Sequence, residues 1–164
     1  MELHLHSHRW HHRVSDWSAA GVAGFFAGAV LMVLELLWST AATGSDPWVA
    51  ARMVGAIVLG PDTLQTSGFS LSVVVAALVT HYVLGIVFGV VLGVIMAPFN
   101  LDSSAGAALV SGAVFGVVIY ALNFYGIQHI FPWFADMRGW PAFFGNVVFG
   151  MVAAFAYVKL EREY

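Results

Sequence analysis

The sequence predicts an all-α integral membrane protein: an antiparallel bundle of four transmembrane helices, with a short interfacial or re-entrant helix between spans 1 and 2. Three observations predict it. Of 164 residues, 60% are hydrophobic and 9% charged, against about 25% charged in a soluble domain. The mean hydropathy is +0.86. The apolar residues fall into four runs, each close to the about 20 residues that a helix needs to cross a bilayer core. Disorder would need the opposite composition. The net charge of -3 comes from few groups and points to no nucleic-acid partner. Without cysteine, disulfides, thiolate metal sites and cysteine nucleophiles are excluded.

Residues 1–17, "MELHLHSHRWHHRVSDW", form a polar, His-rich tail. Its His4, His6, His8, His11 and His12 are a weak candidate for divalent metal, since neutral imidazoles suit Zn, Cu or Ni. Residues 18–160 form the membrane domain. The first span covers about residues 18–40, between Trp17 and Trp38. Its apolar core exceeds the roughly 7–15 residues of a signal peptide, so a retained anchor is expected. In "GSDPWVAARMVGAIVLGPDT", Asp46 caps a helix starting at Pro47, and Gly60-Pro61 ends it. That helix is too short to cross a bilayer. The second span covers residues 71–96, stopped by Pro98. The third covers residues 105–125, with Asp102 or Ser103 as its cap. An aromatic loop leads to the fourth, residues 142–157, with Pro141 in its first turn. A polar tail, residues 161–164, follows. Four spans put both termini on one side. Arg9, Arg13, Lys159 and Arg162 flank the outermost spans, while only Arg52 and Arg138 lie in the opposite loops, so both termini are expected in the cytoplasm.

Small residues recur at a spacing of four: Gly24/Gly28, Gly85/Gly89/Gly93, Gly112/Gly116 and Gly150/Ala154. Such ridges let helix backbones approach closely in lipid. Glu35 follows Gly28 by seven and Gly24 by eleven, and Asn123 follows Gly116 and Gly112 by the same offsets. At 3.6 residues per turn, both offsets return to within about 20° of the glycines. His81 precedes Gly85 by four, and Asn146 precedes Gly150 by four. The predicted arrangement is therefore a polar layer of Glu35, His81, Asn123 and Asn146 on the glycine-bearing faces, displaced toward the outer side. "GIVFGVV", "GAVFGVV" and "NVVFGMV" add a hint of internal duplication.

Ionisable residues within a span face a partner, the bundle interior or water. Glu35 and His81 then either pair with each other across spans 1 and 2, or serve a proton path, a metal or a substrate. Asn123 and Asn146 serve as interhelical glue or line an outer vestibule, with Arg52 and His129 as candidate rim residues. Arg52 is expected to snorkel to the headgroups, the alternative being a reach toward Glu35. Asp136 and Arg138 are expected to pair, and Phe131, Trp133, Phe134 and Trp140 to form an aromatic belt at the headgroups. No cofactor is predicted. Haem would need a second histidine at the depth of His81, which only an infolded His129 could supply, and no motif of a metal hydrolase is present.

From "THYVLGIVFGVVLG" through "FFGNVVFGMV" the chain resembles the YagU-like bacterial inner-membrane proteins, a family of unknown function. The resemblance spans roughly the last 90 residues and rests on Thr80-His81, the aromatic stretch 131–141 and Phe144-Gly145-Asn146. The family has histidine at the last position, so Asn146 departs from it. The resemblance implies a small helical membrane domain in a bacterial inner membrane and no particular activity.

No reaction motif appears, so a non-enzymatic role is expected. The favoured reading is an accessory or structural subunit of a membrane complex, or a homo-oligomer packed through the glycine ridges. The alternative is a small transporter or proton/metal conduit using Glu35 and His81.

Overall fold

The computed structural model describes residues 15–42 and 46–161. The histidines of the N-terminal tail, His4 to His12, and residues 162–164 lie outside the described residues. Five α-helices follow in order: α1 (Trp17–Leu37), α2 (Trp48–Leu59), α3 (Leu71–Met96), α4 (Ala105–Ala121) and α5 (Trp140–Leu160). Among the described residues there is no strand. With their continuing turns, α1, α3, α4 and α5 are long and apolar enough to cross a membrane, and α2 is not. Many large apolar side chains point outward, among them Phe26, Val83, Val114 and Phe144. That is the surface of a membrane protein in contact with lipid.

Local chemistry sets the helix ends. Asp16 starts α1 by accepting the Ala19 N–H at 2.9 Å, satisfying one donor of the first turn. Asp46 does the same for α2, accepting from the Trp48 N–H at 3.0 Å. Gly60, at φ +94°, ends α2 in a conformation that favours glycine. For α4 the cap is Ser104, whose hydroxyl accepts from the Ala107 N–H at 3.1 Å, and not Asp102 or Ser103. Asp102 is instead buried. The last helix runs from Trp140 to Leu160, beyond both ends of the span read from hydropathy, because aromatic and polar residues at its ends lower the average without breaking the helix.

Two of the helices end in the same unusual way. A π-helical turn, Trp38–Ala42, continues α1, and another, Leu122–Gly126, continues α4. In the first, the Leu36 carbonyl accepts the hydroxyls of Ser39 at 3.0 Å and Thr40 at 2.7 Å. Hydroxyls that compete for helix carbonyls in this way disturb the regular ladder.

The glycines decide which helices touch. A Cβ on Gly24 would stand 2.9 Å from the Gly89 Cα, and one on Gly93 would stand 2.8 Å from the Ala20 Cβ. Gly28 faces Gly85. Residue numbers rise along α1 as they fall along α3, so the two run antiparallel at backbone contact. The α4–α5 pair is built alike: Gly112 lies on the Gly150 carbonyl, and Gly116 lies 2.7 Å, from its would-be Cβ, to the Val147 Cα. The α1–α3 pair meets α5 through a second small face of α1, where Ala19, Ala20, Ala23 and Ala27 are buried with Ala153, Ala154 and Tyr157. By contrast, α3 and α4 barely meet. Val91, Ile95, Val110, Val114 and Val118 line an almost wholly apolar crevice of about 770 Å³ between them.

Gly89→Ala forces a methyl to within 2.5 Å of the Gly24 Cα, and overpacking of that kind costs about 1–3 kcal/mol. Gly106 has nothing within 4 Å of its would-be Cβ, so Gly106→Ala is expected to stabilise by about 0.4–1 kcal/mol through the unfolded chain. Reversible unfolding in mixed micelles should show shifts of opposite sign for the two variants.

Candidate functional site

Glu35, His81, Asn123 and Asn146 come from four different helical segments, and all four line one cavity of about 150 Å³. The glycine contacts bring them there. His81 sits one turn before Gly85 on α3, opposite Gly28, and its Nε2 donates to the Gly28 carbonyl at 2.8 Å. That bond keeps the proton of the neutral ring on Nε2 and leaves Nδ1 as an acceptor. Asn146 is buried, and its Nδ2 donates to the Ala142 carbonyl at 2.7 Å, one turn back on α5. Its Oδ1 is left without a hydrogen bond among the described residues. Asn123 lies inside the π-helical turn that continues α4, and Glu35 lies three residues before the one that continues α1. Both helices therefore change geometry at the level of the cavity, a frequent feature of functional sites in helices.

Apolar side chains line the cavity at both ends. Phe88 and Phe149, edge-to-face with centroids 6.5 Å apart, form its floor. Its roof is made by Val54 and Ile57 of α2 and by Phe124, Phe131 and Phe134. Phe131 and Phe134 thus face the cavity, whereas Trp140 is exposed. Trp133 also turns inward, and its Nε1 donates to the Met53 carbonyl at 2.9 Å, tying the loop to α2.

Glu35 makes no hydrogen bond or ion pair with another described residue. The expected pairing with His81 is not made, because the histidine donates to backbone instead. A second crevice, of about 210 Å³ between α1, α2 and α3, reaches the same place from the side, and Glu35, Val54 and His81 line both spaces. These three residues are the wall between them.

Two rim candidates lie elsewhere. Arg52 does not reach Glu35: its Nη2 pairs with Asp46 Oδ2 at 2.9 Å, across the start of α2. The Trp48 N–H and the Arg52 guanidinium hold the Asp46 carboxyl below the usual carboxylate range. His129 is exposed on a short 3₁₀ turn and does not line the cavity. Arg138 does not pair with Asp136 either. It donates from Nε to the Ala135 carbonyl at 3.2 Å and lies 5.1 Å over the Tyr125 ring, a cation–π contact. Among the described residues, no group of three or more histidine, aspartate or glutamate side chains converges as a metal site would require.

All eight ridge glycines, Gly24, Gly28, Gly85, Gly89, Gly93, Gly112, Gly116 and Gly150, have close neighbours inside the chain. The cavity's roof was not found from the sequence. Its signals were the spacing of three between Val54 and Ile57 and again between Phe131 and Phe134, which put each pair on one face of its turn. No family model matches the chain, and no curated protein or solved structure matches it.

Trp133→Phe keeps an aromatic ring and removes the indole N–H that bonds to α2. Hydrogen exchange should show the Trp48–Leu59 amides opening about fivefold more readily, the equivalent of about 1 kcal/mol, with the Leu71–Met96 amides unchanged.

Proposed function

We propose that this chain is a small transporter: four antiparallel spans that bind a small polar solute or ion in the cavity between them. The observation that carries the proposal is the convergence of Glu35, His81, Asn123 and Asn146 on one cavity. Polar groups inside a membrane are costly and accumulate where they meet a partner or a pathway. All four side chains have polar atoms that no other described residue engages, which is a poor design for glue and a good one for a site.

In this reading α2 and the aromatic loop lie at the outer interface as a cover, and both termini are cytoplasmic, in keeping with the arginines and lysine beside the outermost spans. The resemblance to YagU-like proteins favours a bacterial inner membrane. A second reading, an accessory subunit of a membrane complex, has the apolar crevice between α3 and α4 in its favour. It can no longer draw on the glycine ridges, which are occupied within the chain.

The chain has no cysteine, so single cysteines report cleanly. Asn123→Cys and Asn146→Cys in proteoliposomes should react with a small, impermeant, cationic thiosulfonate, and should do so from either side of the bilayer as the cavity opens. Val114→Cys, on an exposed apolar face, should not react, because a thiol in hydrocarbon does not ionise. Rates at both asparagine positions as low as at Val114 would overturn the transporter reading in favour of the subunit.

A further inference from the structure

If the cavity binds a solute, a reading on which this subsection rests, its atoms specify the solute's class. The groups facing Glu35 come from every element packed around it. They are His81 from α3, Asn123 from the π-helical turn after α4, Asn146 from α5 and Val54 from α2. No lysine or arginine is among them, since Arg52 is turned to Asp46. The hydrogen-bonding atoms left over are mostly acceptors: the Glu35 carboxylate, His81 Nδ1 and the Oδ1 atoms of Asn123 and Asn146, with the Asn123 amide N–H group as the main donor, because His81 Nε2 and Asn146 Nδ2 already donate to carbonyls. A cavity rich in acceptors with one carboxylate and no cation calls for a cationic ligand that brings its own positive charge.

The remaining surface says which kind of cation. A calcium-like ion takes six to eight oxygen ligands, and this cavity offers the oxygens of one carboxylate and two amides. Its walls are mainly apolar and hold five phenylalanines: Phe88, Phe124, Phe131, Phe134 and Phe149. Aromatic faces attract organic cations, and quaternary ammonium groups are held in aromatic cages in just this way. The volume of about 150 Å³ equals that of a cavity that takes up one benzene-sized molecule, about six heavy atoms.

We propose that the cavity takes a small alkylammonium cation in exchange for the proton that otherwise neutralises Glu35. An isolated carboxylate in a low-dielectric site is neutralised by one partner or the other. The exchange balances in charge and atoms: protonated Glu35 plus the free ammonium cation gives the Glu35 carboxylate–ammonium pair plus a released proton. Since Glu35 also lines the crevice between α1, α2 and α3, it stands where a cation arriving from that side first meets the site.

Calorimetry on the full chain in nanodiscs tests this, with tetramethylammonium and methylammonium as probes and tert-butanol as a neutral probe of similar size. Repeating the titrations in buffers of different ionisation enthalpy counts the protons. The expected result is binding of the cations with release of about one proton, and no binding of tert-butanol. Glu35→Gln should weaken cation binding at least about 100-fold, as loss of a desolvated charge partner does, while Glu35→Asp retains both binding and proton release. Tert-butanol binding as tightly as the cations would overturn the proposal and leave a small-solute cavity standing. Cation binding without proton release, or no cation binding by the unsubstituted chain, would overturn it too. Cysteines at positions 123 and 146 that resist modification would instead remove the transporter reading itself.

Discussion

The structure depends on backbone-to-backbone contact at glycine. Helices in lipid gain nothing by hiding apolar side chains from one another, because the surrounding acyl chains are equally apolar; they gain by packing closely. Gly24, Gly85 and Gly89 on one side, and Gly112, Gly116 and Gly150 on the other, allow two antiparallel pairs to close until carbonyl and Cα atoms touch. A methyl group at most of these positions would collide with backbone, which cannot turn aside as a side chain can.

The polar layer is a consequence of those contacts. Each polar side chain shares a helix face with the glycines, so closing the glycine contacts draws the four into one space. His81 shows the coupling most clearly. Its partner is not another side chain but the carbonyl of Gly28, within reach because Gly24, Gly85 and Gly89 let α1 and α3 come so near. Where small residues stop, the helices part. The valines and isoleucine between α3 and α4 leave an apolar crevice, while alanines close the contact between α1 and α5.

Much of this was legible in the residues, for identifiable reasons. Runs of apolar residues mark helices that can cross a bilayer, and offsets of four, seven and eleven fix which residues share a face whatever the neighbours are. Partners were less legible. Nothing in the sequence marks a backbone carbonyl as the partner of His81, so the nearest ionisable residue, Glu35, was the natural expectation. Arg52 found Asp46, six residues earlier, a separation that brings two residues together only because a helix begins between them. The roof of the cavity was hidden by composition: phenylalanine and tryptophan look the same in a headgroup belt as in a lid. The order of the helices was hidden as well. On spans that are apolar all round, periodicity does not say which face meets a neighbour and which meets lipid.

Glycine contact between α1 and α3 delivers His81 to the cavity. Solid-state NMR on the chain in lipid, labelled with ¹⁵N in histidine and ¹³C in glycine carbonyls, measures it at the decisive bond. The expected spectrum shows a His81 ring protonated at Nε2, with strong dipolar coupling between that nitrogen and the Gly28 carbonyl carbon. A ring protonated at Nδ1 alone, or an Nε2 with no coupling to Gly28, would contradict it.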